Sequence, residues 1–591
     1  MSLQPHPAPD STRPTMHRAA GLLLAPLLML ILAGCGGSDD DETFIPRLAP
    51  ATSGTLASCT DLGTKFSMAS TTIASAAVVA SGGLVVTGVA AAMPEHCLVK
   101  GEMNRRTSAV DGKSYAIGFE MRLPMAWNGR FFYQANGGID GSVVTATGPS
   151  GGASPVSNAL QMGFAVISSD TGHTGPPWWG LDPQARLDYG YQAVGTLTPM
   201  AKALIKVAYG KEPDRSYFGG CSNGGRHAMI AAARYAKDYD GIMAGAPGFH
   251  LPKAATAQLW KVQQYASIAT STVASGADAG QPDITSAVTP TEFKLLGSRI
   301  VARCDALDGA TDGMVADTAA CQKVFSIGAD VPTCTGPRDG TCLTTAQKTV
   351  LSGIFAGARN SRGESTYSNF YFDPGVAGSN HALWHYSNST ALDPGAVAFI
   401  FTSPPSTQAA FLATTGLKYG LAFSLDSDHP KMFANDATYK EAPWSYMTPP
   451  NESDLSALRA RGAKLLVFHG AADPIFSAAD TARWYDALQA ANKGTATEFA
   501  RYFEVPGMNH CGGGPATDQF DMITALVNWV EKAQAPEQVL AQVRGAGANV
   551  VNTELPGTWS ASRSRPLCGY PKVARYNGSG DIENATNFSC K

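Results

Sequence analysis

The sequence predicts an α/β fold: a mostly parallel sheet with helices on both faces, interrupted by one large strand-poor insertion. Three observations predict it. A serine among glycines, Gly220-Cys221-Ser222-Asn223-Gly224-Gly225, lies between the apolar run Tyr217-Phe218 and a helical stretch from Arg226 to Ala236. Short apolar strands alternate with helical segments around it, the pattern of a parallel sheet buried on both faces. That alternation stops near residue 250 and resumes near residue 461.

At 591 residues the chain can bury a large core and hold more than one structural unit. A net charge of -4 with 16% charged residues leaves no basic surface for nucleic acid, so no nucleic-acid partner is expected. A hydrophobic fraction of 44% describes a globular chain, not a multi-pass membrane protein. Residues 1–34 read as a signal peptide. Arg13, His17 and Arg18 form a weakly basic flank, and Gly21 to Ala33 is an apolar run too short to span a bilayer comfortably. The run ends Leu32-Ala33-Gly34-Cys35, which resembles a bacterial lipoprotein cleavage box. Cys35 would then be lipidated and attach the protein to the cell envelope; the alternative is an ordinary secretory signal. Residues 35–58 read as a flexible tether, and export is expected either way.

Export governs the reading of the cysteines. Without Cys35, ten remain of the eleven, an even number in an oxidising compartment, so disulfides are expected. Sequence does not fix their connectivity; local pairs Cys59–Cys97, Cys304–Cys321, Cys334–Cys342 and Cys568–Cys590 are the expectation, and they would leave Cys221 and Cys511 as a long-range pair. Thiolate zinc spacing is absent.

In chain order, residues 59–100 read as strands and a short helix at the domain edge, and Tyr115 to Leu123 alternates as a strand. Phe131-Phe132-Tyr133 is an apolar strand leading into the loop Asn136-Gly137-Gly138-Ile139-Asp140-Gly141. Gly163 to Ile167 is another strand, and Ala203, Leu204, Val207 and Ala208 recur at helical spacing. A short strand, Gly241 to Pro247, closes the first part of the core, residues 59–249. Residues 250–460 form an inserted lid domain rich in aromatics, among them Trp260, Phe370, Tyr371, Phe372, Trp384, Tyr386, Phe399, Phe411 and Trp444. The core resumes over residues 461–591 with the strand Lys464 to Phe468, a helix from Ala479 to Ala490, the strand Arg501 to Val505 and a helix from Phe520 to Lys532. The tail to Cys590 reads as irregular.

The glycine-flanked serine at a strand-to-helix turn has the form of a nucleophile elbow. The resumed strands supply partners for Ser222. One ends in His469-Gly470-Ala471-Ala472-Asp473-Pro474, the other in Pro506-Gly507-Met508-Asn509-His510-Cys511. The chain order Ser222, Asp473, His510 is that of an α/β-hydrolase, whose site forms beyond the carboxyl ends of the strands. Asp480 competes as the acid but reads as a first-turn helix charge. His510 would take the Ser222 proton, with Asp473 orienting the imidazole. Backbone amides of Asn223 and of the Gly137-Gly138 loop, Gly138 for choice, would bind the oxyanion.

The elbow, the run Gly507-Met508-Asn509-His510-Cys511, Gly180-Leu181-Asp182-Pro183-Gln184-Ala185-Arg186-Leu187-Asp188 and Gly578-Ser579-Gly580-Asp581-Ile582 together resemble the tannase and feruloyl esterase family over about residues 59–590. The resemblance implies a serine esterase that cleaves aromatic-acid esters of feruloyl, galloyl or mono(2-hydroxyethyl) terephthalate type. It also implies a Cys221–Cys511 disulfide that fixes the serine loop to the histidine loop. A structural Ca2+ in the lid is implied on Asp305, Asp308 and Asp312 with the carbonyls of Ala310 and Met314. Three carboxylates within eight residues repel one another, which a hard cation between them would relieve; the spacing is not that of an EF-hand, and the alternative reading is a solvated acidic turn. Phe476 is carried over as a pocket residue, with His469 as a second substrate contact. Members that act on terephthalate monoesters hold the free carboxylate with a lid arginine. This chain has none between Arg362 and Arg459, which leaves Lys418, Lys431 or Lys440 as point-charge substitutes. A small aromatic ester is the expected partner and a monomer the expected state. The reading from another class is a non-catalytic surface binding protein on a hydrolase fold.

Overall fold

Nine strands form the central sheet of the computed structural model, which describes residues 45–153 and 157–591. They are β1 (Thr71–Val79), β2 (His96–Thr107), β3 (Ser114–Pro124), β4 (Arg130–Gln134), β5 (Ala165–Ser169), β6 (Arg215–Cys221), β7 (Gly241–Gly245), β8 (Lys464–Gly470) and β9 (Ala500–Val505). The spatial order is β9-β8-β7-β6-β4-β5-β3-β2-β1. The six strands from β9 to β5 are parallel, and β3, β2 and β1 extend the sheet antiparallel at one edge.

Alternation along each strand sorts its side chains between two cores. Phe131, Tyr133, Phe218, Ile242, Leu465 and Val467 face α1 (Ala193–Tyr209) and α2 (Asn223–Arg234), against Leu197, Leu204 and Met229. Phe132, Tyr217, Met243, Leu466 and Phe468 face the opposite side, where Ile523, Leu526 and Trp529 of a later helix, Met522–Lys532, cover them. Strands buried on both faces are continuous apolar runs for this reason.

Residues 250–460 contain no strand of the described sheets. Their longer helices are α3 (Leu251–Ala266), α4 (Pro290–Cys304) and α5 (Thr345–Ala356), the last two opened by complete capping boxes at Thr289 and Thr344. This insertion does not keep a core to itself. Tyr115, Trp179, Tyr189, Ile475 and Phe476 from the surrounding chain are buried in one cluster with Leu259, Phe293, Leu351 and Phe399. Residues 45–591 accordingly form one compact unit. Beyond it, α6 (Ala478–Ala491) and α7 (Met522–Lys532) resume the core.

Two expectations are corrected. The tether does not run free to residue 58. Gly54–Thr55 pairs with Ala126–Trp127, the Thr52 amide donates to Asp214 (2.8 Å), the Ala51 amide to Glu531 (3.0 Å), and Leu56 is buried. The tail is not irregular. β10 (Gln538–Gln542) and β11 (Ser564–Cys568) pair antiparallel, and Ala574–Tyr576 pairs with Phe588–Cys590. These strands are short, and Pro566 inside β11 hides one of them. The signal peptide, Cys35 and the first part of the tether lie outside the described residues. Among the described residues no helix is long and apolar enough to cross a membrane.

His250, at the start of α3, ties the insertion to the core through Asp480 (2.8 Å) and bonds Glu452, within the insertion, at 3.1 Å. Burial would lower its pKa, but hydrogen bonds to the two carboxylates outweigh it and raise the pKa to about 9 from 6.5. A raised pKa stabilises the fold below the unfolded value and loses that contribution as pH rises. Stability is therefore expected to decline between pH 6.5 and about 9 by about 3 kcal/mol. Urea midpoints across that range should show the decline in the native chain and a flatter profile in His250→Gln.

Candidate active site

The register of the parallel strands puts three loops side by side. Cys221 of β6 lies opposite Gly245 of β7, which lies opposite Phe468 of β8, which lies opposite Phe503 of β9. The loops that leave these strands carry Ser222, Asp473 and His510 to one edge of the sheet. Ser222 occupies φ 67°, ψ -124°, a left-handed conformation that a side chain adopts only at a cost of about 1–3 kcal/mol. The turn is that tight because backbone passes close on both sides. A Cβ on Gly220 or Gly224 would fall 2.4 Å from the Ala135 carbonyl oxygen, so only glycine fits at either position.

The triad is assembled. Ser222 Oγ lies 2.8 Å from His510 Nε2, and His510 Nδ1 lies 2.6 Å from Asp473 Oδ2. Asp473 Oδ1 accepts the amides of Ile475 (2.9 Å) and Phe476 (3.0 Å). Burial by itself would raise the Asp473 carboxyl, but interaction with the His510 ring and hydrogen bonds from His469 and His510 hold it well below the usual carboxylate range. Asp473 therefore stays ionised and fixes the ring with its proton on Nδ1, leaving Nε2 free to accept from the serine. Asp480 has a different use: it opens α6 and bonds His250.

The disulfide Cys221–Cys511 joins the elbow directly to the histidine loop, with the Cα atoms 6.1 Å apart across 290 residues. The other four expected pairs also form. Further ties come from the insertion. Asp373 accepts the Gly507 amide (3.0 Å), Gly375 O accepts the Asn509 side chain (2.9 Å), and Asn380 accepts the His510 amide (3.4 Å). On the acid loop, buried Lys261 (3.0 Å) and Gln258 (3.2 Å) of α3 both donate to the Pro474 carbonyl beside Asp473. No sequence pattern singled these residues out, because their role depends on contacts more than 100 residues away.

Phe476 and Trp384 stand edge-on to the His510 ring, with centroids 5.2 and 5.0 Å from it. His469 is not a substrate contact. It is fully buried behind Asp473, where Nε2 donates to Asp473 (3.2 Å) and to Phe476 O (3.0 Å), and Thr481 bonds Nδ1 (2.8 Å). A side chain at the end of a buried strand can face pocket or core, and spacing does not tell which. On the opposite wall, Gly137 and Gly138 are exposed. A Cβ on Gly137 would lie 3.9 Å from Ser222 Cβ, whereas Gly138, at φ 64°, faces open space. Lys418 donates to Ala277 O (2.6 Å), Lys431 pairs with Asp428 (2.7 Å), and Lys440 is exposed. The first two are engaged away from the triad.

The acidic loop of the insertion curls on itself. Asp305 accepts the amides of Asp312 and Gly313, Asp308 those of Ala310 and Ala316, and Asp312 that of Met314. The tail fastens this loop: Arg565 pairs with Asp312, Arg563 donates to the Asp312 carbonyl (2.8 Å), and Arg575 to Leu307 O (2.9 Å). Burial, then repulsion from neighbouring carboxylates, raises Asp305 and pushes Asp308 up to about 7. Among the described residues no three acidic, histidine or cysteine side chains converge at metal-binding distance. The hard oxygen donors fit a divalent cation in kind, while their side chains are turned to the loop's own amides.

Residues 97–591 match the family described as tannase and feruloyl esterase. The chain is 38% identical over 540 residues to a mono(2-hydroxyethyl) terephthalate hydrolase of Piscinibacter sakaiensis, which covers 85% of this chain and 86% of that one. It is 28% identical over 517 residues to a probable feruloyl esterase B-2 of Aspergillus fumigatus, covering 83% and 87% of the two chains. The structure is similar to that of feruloyl esterase B from Aspergillus oryzae, with a TM-score of 0.69, 23% identity, and 90% of this chain and 99% of that one covered.

Replacing both Cys221 and Cys511 by serine is expected to cost about 3–5 kcal/mol in urea unfolding, from the freed loop entropy. It should also lower kcat at least about tenfold by loosening the Ser222–His510 distance. An unchanged kcat would limit the bond to a role in stability.

Proposed function

The chain belongs to the tannase and feruloyl esterase family, and on that premise we propose that it hydrolyses esters of aromatic acids through an acyl-enzyme on Ser222. It is a carboxylic ester hydrolase. The observation that carries the reading is the assembled triad, with Oγ–Nε2 at 2.8 Å and Nδ1–Oδ2 at 2.6 Å. His510 removes the Ser222 proton as the oxygen attacks the ester carbonyl, and Asp473 stabilises the imidazolium that results. The amide of Asn223 and those of Gly137 and Gly138 bind the developing oxyanion. His510 then protonates the departing alcohol, and a water activated by the same ring releases the acid. A non-catalytic surface binding protein would not need this hydrogen-bonded geometry.

Trp384 and Phe476, set edge-on to His510, favour a flat aromatic acyl group between them. With Lys418 and Lys431 engaged elsewhere, Lys440 exposed, and no arginine between Arg362 and Arg459, an uncharged acyl group of feruloyl or galloyl type is favoured over terephthalate. The protein acts as an exported monomer, attached to the cell envelope through a lipidated Cys35. Asp305, Asp308 and Asp312, with the Ala310 and Met314 carbonyls, would hold a calcium ion that orders the insertion's acidic loop. Its support is the burial of all three carboxylates.

Turnover of methyl ferulate, methyl gallate and mono(2-hydroxyethyl) terephthalate tests the substrate reading. The first two are expected to give the higher kcat/KM, and the reverse order would require a cation in the pocket. Ser222→Ala should lower kcat at least about 10^4-fold on each. Chelation by EDTA should lower the melting temperature by about 5 °C, with recovery on adding calcium. A melting temperature unmoved by both would remove the calcium site.

A further inference from the structure

We propose that Asp140 is a positioning residue of the oxyanion hole, locking the loop from Asn136 to Gly141 onto Asn223, the residue whose amide follows the nucleophile. Two donors from separate elements must point at one oxygen for the hole to work, so their spacing has to be held by something. Asp140 provides that link. Its side chain is fully buried although its backbone lies in the exposed glycine loop, at φ 53°. Asp140 Oδ2 accepts the side-chain N–H of Asn223 at 2.9 Å and that of His227 Nε2 at 3.0 Å. Asn223 Nδ2 also reaches the Asn136 carbonyl (3.3 Å), and its Oδ1 accepts Nε–H from Arg226 (2.7 Å). One carboxylate thus bridges the loop that carries Gly137 and Gly138 to the first turn of α2.

The remaining peptides of the loop are gripped from beneath by buried groups. Tyr189 donates its hydroxyl to the Gly138 carbonyl (3.4 Å), His173 Nε2 bonds the Ile139 carbonyl (2.8 Å), and the Gly141 amide donates to Asp170 O (3.2 Å). Arg226 holds the Tyr189 and Gly190 carbonyls at 3.0 and 2.9 Å, closing the shell. Fold stability does not account for the acid at its centre. Burial pushes the Asp140 carboxyl up to about 7 against the opposing pull of His173 and Arg226, and Oδ1 meets no partner among the described residues. A half-satisfied buried carboxylate is a net liability to a core. It fits a place where a loop must be held to a fixed distance. Asp140 and His227 do not form a second catalytic pair, since His227 is fully buried and its ring faces Arg226 and Tyr189.

The inference rests on the ester-hydrolase reading of Ser222, and the test separates the two. Asp140→Ala is measured with methyl ferulate and with the trifluoromethyl ketone analogue of the same acid, whose tetrahedral adduct needs the hole. The expected result is a kcat lower by roughly tenfold to a hundredfold, a ketone Ki weaker by a similar factor, and a KM within about threefold of the native value. Asp140→Asn, which keeps one acceptor oxygen, should recover part of the loss. Asn223→Ala cuts the same link from the other side, so the double variant should lose little more than either single one. Should Asp140→Ala not fold, Asn223→Ala and Asp140→Asn carry the same readouts. Unchanged kcat and Ki, or losses that simply add in the double variant, would overturn the inference. If Ser222→Ala keeps turnover in the same assay, the underlying reading fails instead.

Discussion

The 2.8 Å approach of Ser222 Oγ to His510 Nε2 is the constraint on which the other features bear, because it joins loops 288 residues apart in the chain. The sheet register brings the loops to one edge but leaves them free to move by more than a hydrogen bond tolerates. Three devices remove that freedom. The elbow is wedged by backbone contacts that admit only glycine at positions 220 and 224. The Cys221–Cys511 bond ties the two loops covalently beside the reacting atoms. Hydrogen bonds from Asp373, Gly375 and Asn380 then hold the histidine loop from the insertion.

The insertion is therefore part of the catalytic frame. It shares a buried cluster with Tyr189, Ile475 and Phe476, and Lys261 and Gln258 clamp the peptide next to Asp473. A cover that opened as a rigid body would have to break bonds to both the acid and the histidine loops. The tail reinforces this arrangement through Arg563, Arg565 and Arg575, which grip the acidic loop of the insertion.

Much of this was legible in the sequence, for identifiable reasons. The elbow carries its signal locally, in glycines that sterics demand. The acid and the histidine follow strands whose apolar runs are unbroken, so their order could be read directly. The local cysteine pairs follow from proximity in the chain. What could not be read depends on direction or on distant partners. His469 ends the same strand that leads to Asp473, yet it points inward and supports the acid from behind. Residues 51–58 look like tether because nothing local shows that Gly54–Thr55 finds an edge at Ala126–Trp127. β11 is masked by Pro566, and Asp140 resembles any polar residue in a glycine loop until its buried partners are in place.

The most direct test of the central claim is to trap the covalent intermediate. Rapid acid quenching of the native enzyme with the 4-nitrophenyl ester of ferulic acid, followed by reduction, digestion and mass spectrometry, reads where the acyl group resides. The account predicts a feruloyl adduct on the peptide containing Ser222, formed in a burst of about one nitrophenolate per enzyme before steady turnover. Turnover without a burst or adduct, or an adduct on any other residue, would contradict it.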